Sequence, residues 1–258
     1  MDKFIADHIE QTLFCGVKSK DARPKYASDG ATANSKYLTD IFIKFDLDKG
    51  ELPLSTLRPC YTGLARQEIF TIYQDQTSEL RAFKDRGVNF WDSWVLEDGT
   101  IGQRYGATVN RYKLVDRLLE GLGKNPFNRR NIINLWQYKD LDETEGLMPC
   151  AFQTIWDVRD LNGEMYLDMS LIQRSSDGLV AGMGINQMQY VAFQMMIAKH
   201  FGWKVGTFSW HVMNFHIYDR YEQDGLELVR RFNENNAKDP LFYQNQNIEF
   251  VLDVPDGT

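Results

Sequence analysis

The chain of 258 residues is 43% apolar, 25% charged and 13% aromatic, with a formal net charge of −7. These proportions describe a folded globular chain and exclude a disordered, fibrous or disulfide-dense one. A net-acidic surface disfavours whole-surface nucleic-acid binding, whereas a local basic pocket for one phosphate stays open.

Residues 2–14 space Phe4, Ile5, His8, Ile9, Thr12 and Leu13 at helical intervals, which predicts an amphipathic opening helix. The stretch carries charges at positions 2, 3, 7 and 10, so it lacks the apolar run of a secretory signal. Residues 17–35 are polar and turn-rich and read as a long loop, a kind that is often functional. YLTDIFIKFDL, residues 37–47, reads as a strand, and helices are expected over 62–80 and 110–123. From residue 131 the pattern turns strand-like in NIINLW, CAFQTIWDV and EMYLDMSLIQR, with Asn162-Gly163 as a hairpin turn. QMQYVAFQMMIAKHFG is apolar almost all round, which describes a buried helix stopped by Gly202, and KVGTFSWHVMNFHIY follows as a strand. The expectation is one α+β domain over 1–258, a mixed, twisted β-sheet wrapped around a buried central helix. The three scattered cysteines fit no disulfide framework or metal site, and no run of ~18 apolar residues exists to span a membrane. A cytoplasmic protein without a metal or a membrane segment is expected.

Cys150 follows a proline in LMPCAFQ. A lone cysteine among apolar residues is most often an inert core thiol, but neighbouring arginines would make it a nucleophile. Arg23, Arg129, Arg130 and Arg174 are each ordinarily solvated; beside Ser175 and Ser176, Arg174 instead joins a guanidinium fork to hydroxyls, the chemistry a phosphate dianion wants. Adjacent side chains on a strand point apart, so Arg129 and Arg130 do not both serve one ligand of their own chain. Trp91 and Trp94, three apart, read equally well as core, His216 as a buried strand histidine and Glu68 as a solvated helix residue.

The motifs ARPKY, ANSKY, NFWDSW, GTIGQRYG, NPFNRRNI, LMPCAFQ, QRSSD, the GIN around Asn186 and HIY at 216–218 follow one another across about residues 20–220. In that order and spacing the chain resembles the folate-dependent thymidylate synthases, and ANSKY, IYQDQ and IAKHFGWKVG resemble those of Gram-positive bacteria and their phages. The resemblance implies the thymidylate synthase fold and a homodimer with sheets stacked back to back. It implies a methyltransferase that makes dTMP from dUMP, with 5,10-methylenetetrahydrofolate as a co-substrate giving both carbon and hydride. Its implied catalytic set is Cys150, adding to C6 of dUMP, with Glu68, Tyr105, Asn186 and Arg174. For dUMP it implies Arg23, Arg174, Ser175, Ser176, Asp177, Asn186, His216 and Tyr218, with Arg129 and Arg130 from the other subunit. Asn186 would present its amide to uracil O4 and N3. The folate site would be lined by Glu68, Trp91, Trp94, Leu147 and Asp177. Neither a membrane nor a nucleic acid is implied as a partner.

Two departures from the family pattern are visible. GLVAGMGI, between Asp177 and Asn186, is one residue longer than expected, and Gly182 and Gly184 permit a bulge there. The chain stops at VPDGT, where the family continues into a tail that closes over the folate. Without such a lid, water would divert the reaction to a 5-hydroxymethyl product, so a pyrimidine-nucleotide hydroxymethylase is one alternative. A catalytically weak dUMP-binding homologue is the other.

Overall fold

A computed structural model describes residues 1–20 and 22–235 of the chain. The expectation about a closing tail falls on residues outside the described ones. The amphipathic start folds as α1 (Asp2–Cys15), which buries Ile5, Ile9 and Leu13. The stretch read as loop throughout contains a short strand, β1 (Val17–Lys18), laid antiparallel on β2 (Ser35–Asp46). The rest of that loop is anchored by buried Tyr26, which packs edge-on against Tyr218 beneath the Arg220 guanidinium, 3.7 Å from its ring centre.

The helix expected over 62–80 is divided. α2 (Thr62–Ile69) runs into a π turn at Phe70–Gln74, and α3 (Leu80–Asp85) starts afresh. The cause is tertiary. Ile101 N–H donates to Ser78 C=O at 2.9 Å and Leu80 N–H to Gly99 C=O at 3.0 Å, so this backbone is committed to an antiparallel bridge. The helix expected over 110–123 is also two, α4 (Gly106–Tyr112) and α5 (Leu114–Lys124), meeting at Lys113 with a left-handed φ of 53°. Arg111 and Tyr112 both donate to the buried Asp140 carboxylate, at 2.7 and 3.0 Å, which turns the end of α4 away from a straight run.

β3 (Ile132–Asn134) forms within the strand-like NIINLW, and a short α6 (Tyr138–Glu143), which was not anticipated, follows it before the hairpin of β4 (Ala151–Leu161) and β5 (Glu164–Gln173). Asn162 and Gly163 both take positive φ, 58° and 88°, as a two-residue hairpin turn requires. Then come β6 (Ser176–Asp177), α7 (Ile185–Phe201), β7 (Lys204–Tyr218) and α8 (Glu222–Asn235), the last also unanticipated. α8 packs Leu228 and Val229 against Ile5, Ile9 and Leu13 of α1 in a second, smaller core.

The sheet has the order β1-β2-β7-β5-β4-β3, with β6 also on β7; β7 runs parallel to β5 and β6, and the other pairs are antiparallel. Tyr190, Val191, Phe193 and Ile197 of α7 share one core with Trp156, Leu171, Phe208 and Trp210 of the sheet, so the helix is central and buried as its sequence implies. No helix among the described residues is long and apolar enough to cross a membrane.

On the buried side of α7 a polar side chain must find its partners inside the protein. Gln194 of α7 donates through Nε2 to Leu167 C=O at 2.7 Å and Thr207 C=O at 3.0 Å, bridging β5 and β7 where their register shifts. Gln194→Met keeps the length but leaves both carbonyls without that donor. A loss of about 1–3 kcal/mol is expected, read as a lower urea midpoint at unchanged slope.

Candidate active site

Cys150 stands directly before β4 and Arg174 directly after β5, and the hairpin register brings them together: Arg174 N–H donates to Cys150 C=O at 3.0 Å. The Arg174 side chain turns back over the same segment. Its Nε donates to Pro149 C=O at 3.0 Å and its Nη2 to Met148 C=O at 2.9 Å, with Nη2 3.5 Å from Cys150 Sγ. A guanidinium this close to a half-buried cysteine sulfur is the kind of cationic neighbour found beside reactive cysteines. Cys60, by contrast, is held up as a thiol by burial, and Cys15 is exposed.

Tyr105 borders the thiol from the N-terminal side of α4 with φ 45° and ψ −109°, a conformation that costs energy in a residue with a side chain. The preceding Arg104 shows how it is held. Its buried guanidinium donates to the carbonyls of Asp140, Leu141 and Thr144, pinning the segment that leads to Cys150. Burial chiefly pushes the Tyr105 phenol well above its usual range; Cys150 and Glu68 add to this, and Arg174 opposes it.

Glu68, on α2, is buried rather than solvated. Trp91 Nε1 donates to its Oε1 at 2.9 Å and Gln189 Nε2 to its Oε2. Burial pushes its carboxyl up to about 7 despite those two donors, which favour the charged form. A carboxyl balanced near neutrality can give and take protons at physiological pH.

Asn186 lies in the first turn of α7. Its Oδ1 accepts from Gln173 Nε2 at 3.1 Å and its Nδ2 donates to Gln189 Oε1 at 2.9 Å. These bonds use one lone pair and one N–H, leaving a second of each for a ligand. The glycine-rich segment before it forms a pinned turn. Asp177 Oδ1 accepts from Leu179 N–H at 2.8 Å, Gln187 bonds Gly184 N–H and Gly182 C=O, and Gly184 takes a φ of 119° next to Pro53 C=O.

β6 places Ser176 beside Phe215 and Asp177 beside His216 of β7. His216 Nδ1 lies 3.0 Å from Asn214 Oδ1 and 3.5 Å from Ser175 Oγ, and burial lowers its pKa, so it stays a neutral imidazole. His216 Nε2 and Ser176 Oγ are buried without a partner among the described residues, the mark of a surface built to meet a polar ligand. Tyr218 is buried near enough to Asp177, Cys150 and Arg23 to feel their charges, and desolvation raises its pKa.

Trp91 is 3% exposed, packed edge-on against Trp94 and Tyr105, so its contribution is an N–H to Glu68 more than an open ring face. Trp94 and Leu147 are half-buried at the margin of the core. Arg129 and Arg130 are not brought to this site. Asn131 C=O accepts from Trp156 N–H at 2.9 Å, which puts the exposed arginine pair level with the middle of β4. At ~3.3 Å per strand residue that is roughly 20 Å from Cys150.

Three residues given no role in the motif reading belong to the site: Gln173, which opens QRSSD, and Gln189 and Trp210, which lie outside the quoted motifs. Their signal was an uncharged amide or indole in an otherwise apolar strand or buried helix, where a polar group must have a partner. Among the described residues no group of three or more metal-ligating side chains occurs.

A family profile described as thymidylate synthase matches residues 5–250. The chain belongs to the thymidylate synthase family. It is 56% identical over 259 residues to thymidylate synthase of Lactococcus lactis strain IL1403 and 52% identical over 260 residues to that of Streptococcus agalactiae, in each case covering 100% of this chain and 88% of the relative. Among solved structures it superposes on thermostable thymidylate synthase A from Bacillus subtilis with a TM-score of 0.80 at 29% identity, over 89% of this chain and 84% of that one. The family methylates dUMP, and the chain is an enzyme of that kind.

Iodoacetamide is expected to alkylate Cys150 faster than Cys60 at pH 7, with Arg174→Gln slowing Cys150 several-fold. Peptide mass mapping over time checks both. Equal rates before and after the substitution would separate the guanidinium from thiol activation.

Proposed function

We propose that this chain converts dUMP to dTMP at the site built on Cys150, and that it works as a homodimer in the cytoplasm, with residues 1–258 forming one domain. The observation that carries the site reading is the Cys150 thiol under the Arg174 guanidinium, at 3.5 Å, beside a buried carboxyl pushed up to about 7.

Cys150 adds to C6 of the pyrimidine, which turns C5 into a carbon nucleophile. Arg174, Arg23 and the serines take the 5′-phosphate, a dianion matched by guanidinium forks and hydroxyls. Asn186 meets O4 and N3–H with its free N–H and lone pair. His216 and Tyr218, two apart on β7, give the ribose hydroxyl a neutral imidazole and a phenol. Glu68 handles the C5 proton, and Tyr105 closes the wall beside the thiol. When bound, 5,10-methylenetetrahydrofolate supplies the one-carbon unit and the hydride. Glu68, Trp94, Leu147 and Asp177 would border it, with Trp91 behind them.

Dimerisation is supported by two observations. Arg129 and Arg130 lie roughly 20 Å along the strand from their own thiol. The outer sheet face exposes Phe42, Ile155 and Met213, at 58%, 37% and 56%, apolar groups that a second sheet would cover. The hydroxymethylase and binding-only readings have no such observation in their favour: the relatives are thymidylate synthases, and nucleophile, cation and buried acid are assembled together.

Incubation with dUMP and 5,10-methylenetetrahydrofolate should give dTMP by mass spectrometry with dihydrofolate by absorbance. Cys150→Ala should abolish turnover, and a 5-hydroxymethyl product would overturn the synthase assignment. Glu68→Gln should lower kcat by ~10²–10⁴ and remove an acid limb near pH 7. Subunits carrying Cys150→Ala, mixed with subunits carrying Arg130→Ala, should regain activity that neither has alone. An inactive mixture of proven heterodimers would exclude the shared site.

A further inference from the structure

Six side chains form one hydrogen-bonded line through the site: Trp210, Gln173, Asn186, Gln189, Glu68 and Trp91. Both ends are indole N–H groups, which can only donate. Trp210 Nε1–H donates to Gln173 Oε1, so Gln173 turns its NH2 to Asn186 Oδ1. Asn186 then has its NH2 for Gln189 Oε1, and Gln189 has its own for Glu68 Oε2. Trp91 takes the remaining Glu68 oxygen. Gln173, Gln189, Glu68 and both tryptophans are buried, so turning over any one amide sets donor against donor where no water can intervene.

We propose that Gln189 is a positioning residue that couples base reading to proton handling, locking the Asn186 amide in the sense that fits uracil while holding the Glu68 carboxylate. This rests on the roles given to Asn186 and Glu68 above. Uracil offers an acceptor at O4 and a donor at N3; cytosine offers the reverse and would need the amide turned over. Gln189 sits three residues beyond Asn186 on α7, on the same helix face, and reaches Glu68 on α2. Among the described residues it is the one side chain hydrogen-bonded to both.

The titratable groups facing Glu68 from the surrounding elements are Tyr105, ahead of α4, and Tyr190, on α7, and burial keeps both as neutral phenols. Glu68 is therefore the member of this set that changes charge near neutrality. The Gln189 N–H favours its ionised form, so losing that donor moves the titration to higher pH.

The test uses the full chain with Gln189→Met, which keeps length and burial but has no amide. Two quantities are read: the ratio of dCMP to dUMP dissociation constants by calorimetry, and kcat against pH with dUMP. The ratio is expected to fall about tenfold as one of the two locks on Asn186 is lost, and the acid limb to move up by roughly half to one pH unit. A variant that unfolds at the parental temperature yet keeps the parental ratio and limb overturns the proposal. Gln189→Glu decides the matter should the methionine variant fail to fold. Its carboxyl accepts from Asn186 Nδ2 in either protonation state but donates to Glu68 only when protonated, so discrimination should stay parental while the acid limb moves to higher pH. A parental acid limb, or discrimination lost while the acid limb stays in place, overturns the coupling. Failure of the underlying roles looks different: Asn186→Ala would leave discrimination intact, or Glu68→Gln would leave the acid limb in place.

Discussion

The site hangs on the register of one hairpin. Asn162 and Gly163 close the turn between β4 and β5, and every pair from Leu161↔Glu164 toward Ala151↔Gln173 follows from it, with one bulge near the end. The open end of that ladder is where Cys150 meets Arg174. Side chains alternate across a sheet, so a slip by one residue would move Gln173 to the outer face and take the guanidinium off the thiol. A turn twelve residues from the nucleophile thus determines its electrostatic neighbour. The same ladder end fixes Gln173, and through it the orientation of Asn186.

Desolvation does much of the remaining chemistry. One removal from water raises Glu68 to about 7, keeps Tyr105 a neutral phenol and keeps His216 a neutral imidazole. A carboxyl whose folded pKa lies above its unfolded one stabilises the fold fully below the unfolded value, near 4.5, and that contribution is lost as pH rises through about 7. The ionised acid that strips a proton is therefore held against the preference of the fold, by the Trp91 and Gln189 donors. Stability and reactivity pull in opposite directions at this residue, as they do in the strained backbone of Tyr105.

What was legible in the sequence follows the strength of the local signal. The Asn-Gly turn, the alternation in β2 and β7 and the all-round apolarity of α7 each have a single physical reading, and the elements form as those readings require. Residues 62–80 and 110–123 carry helical periodicity but break, because Ser78 and Leu80 pair with another segment and Asp140 gathers Arg111 and Tyr112. Those ties join residues about 20–30 apart in the chain, beyond any local window. α8 was obscured by its charges, with Gly225 in its first turns; only contact with α1 shows which face is apolar. At the site, thiol and arginines are recognisable by type. Gln173 and Gln189 are not, since an amide expresses its chemistry only through the partners that orient it.

The arginine pair poses a problem of distance that one protomer does not solve. β4 carries the thiol at one end and, through β3, Arg129 and Arg130 toward the other. In an isologous dimer, whatever one protomer gives its partner it receives back in the same geometry. A two-fold axis through the exposed face of β4, β5, β7 and β2 would carry the arginine end of one protomer toward the thiol end of the other. The same operation would cover Phe42, Ile155 and Met213. A pocket that needs several cations for one phosphate could then draw them from two chains, so that neither monomer concentrates all that charge beside its own nucleophile. Assembly and activity would be one event, because in such a dimer the last cations would arrive only with the partner.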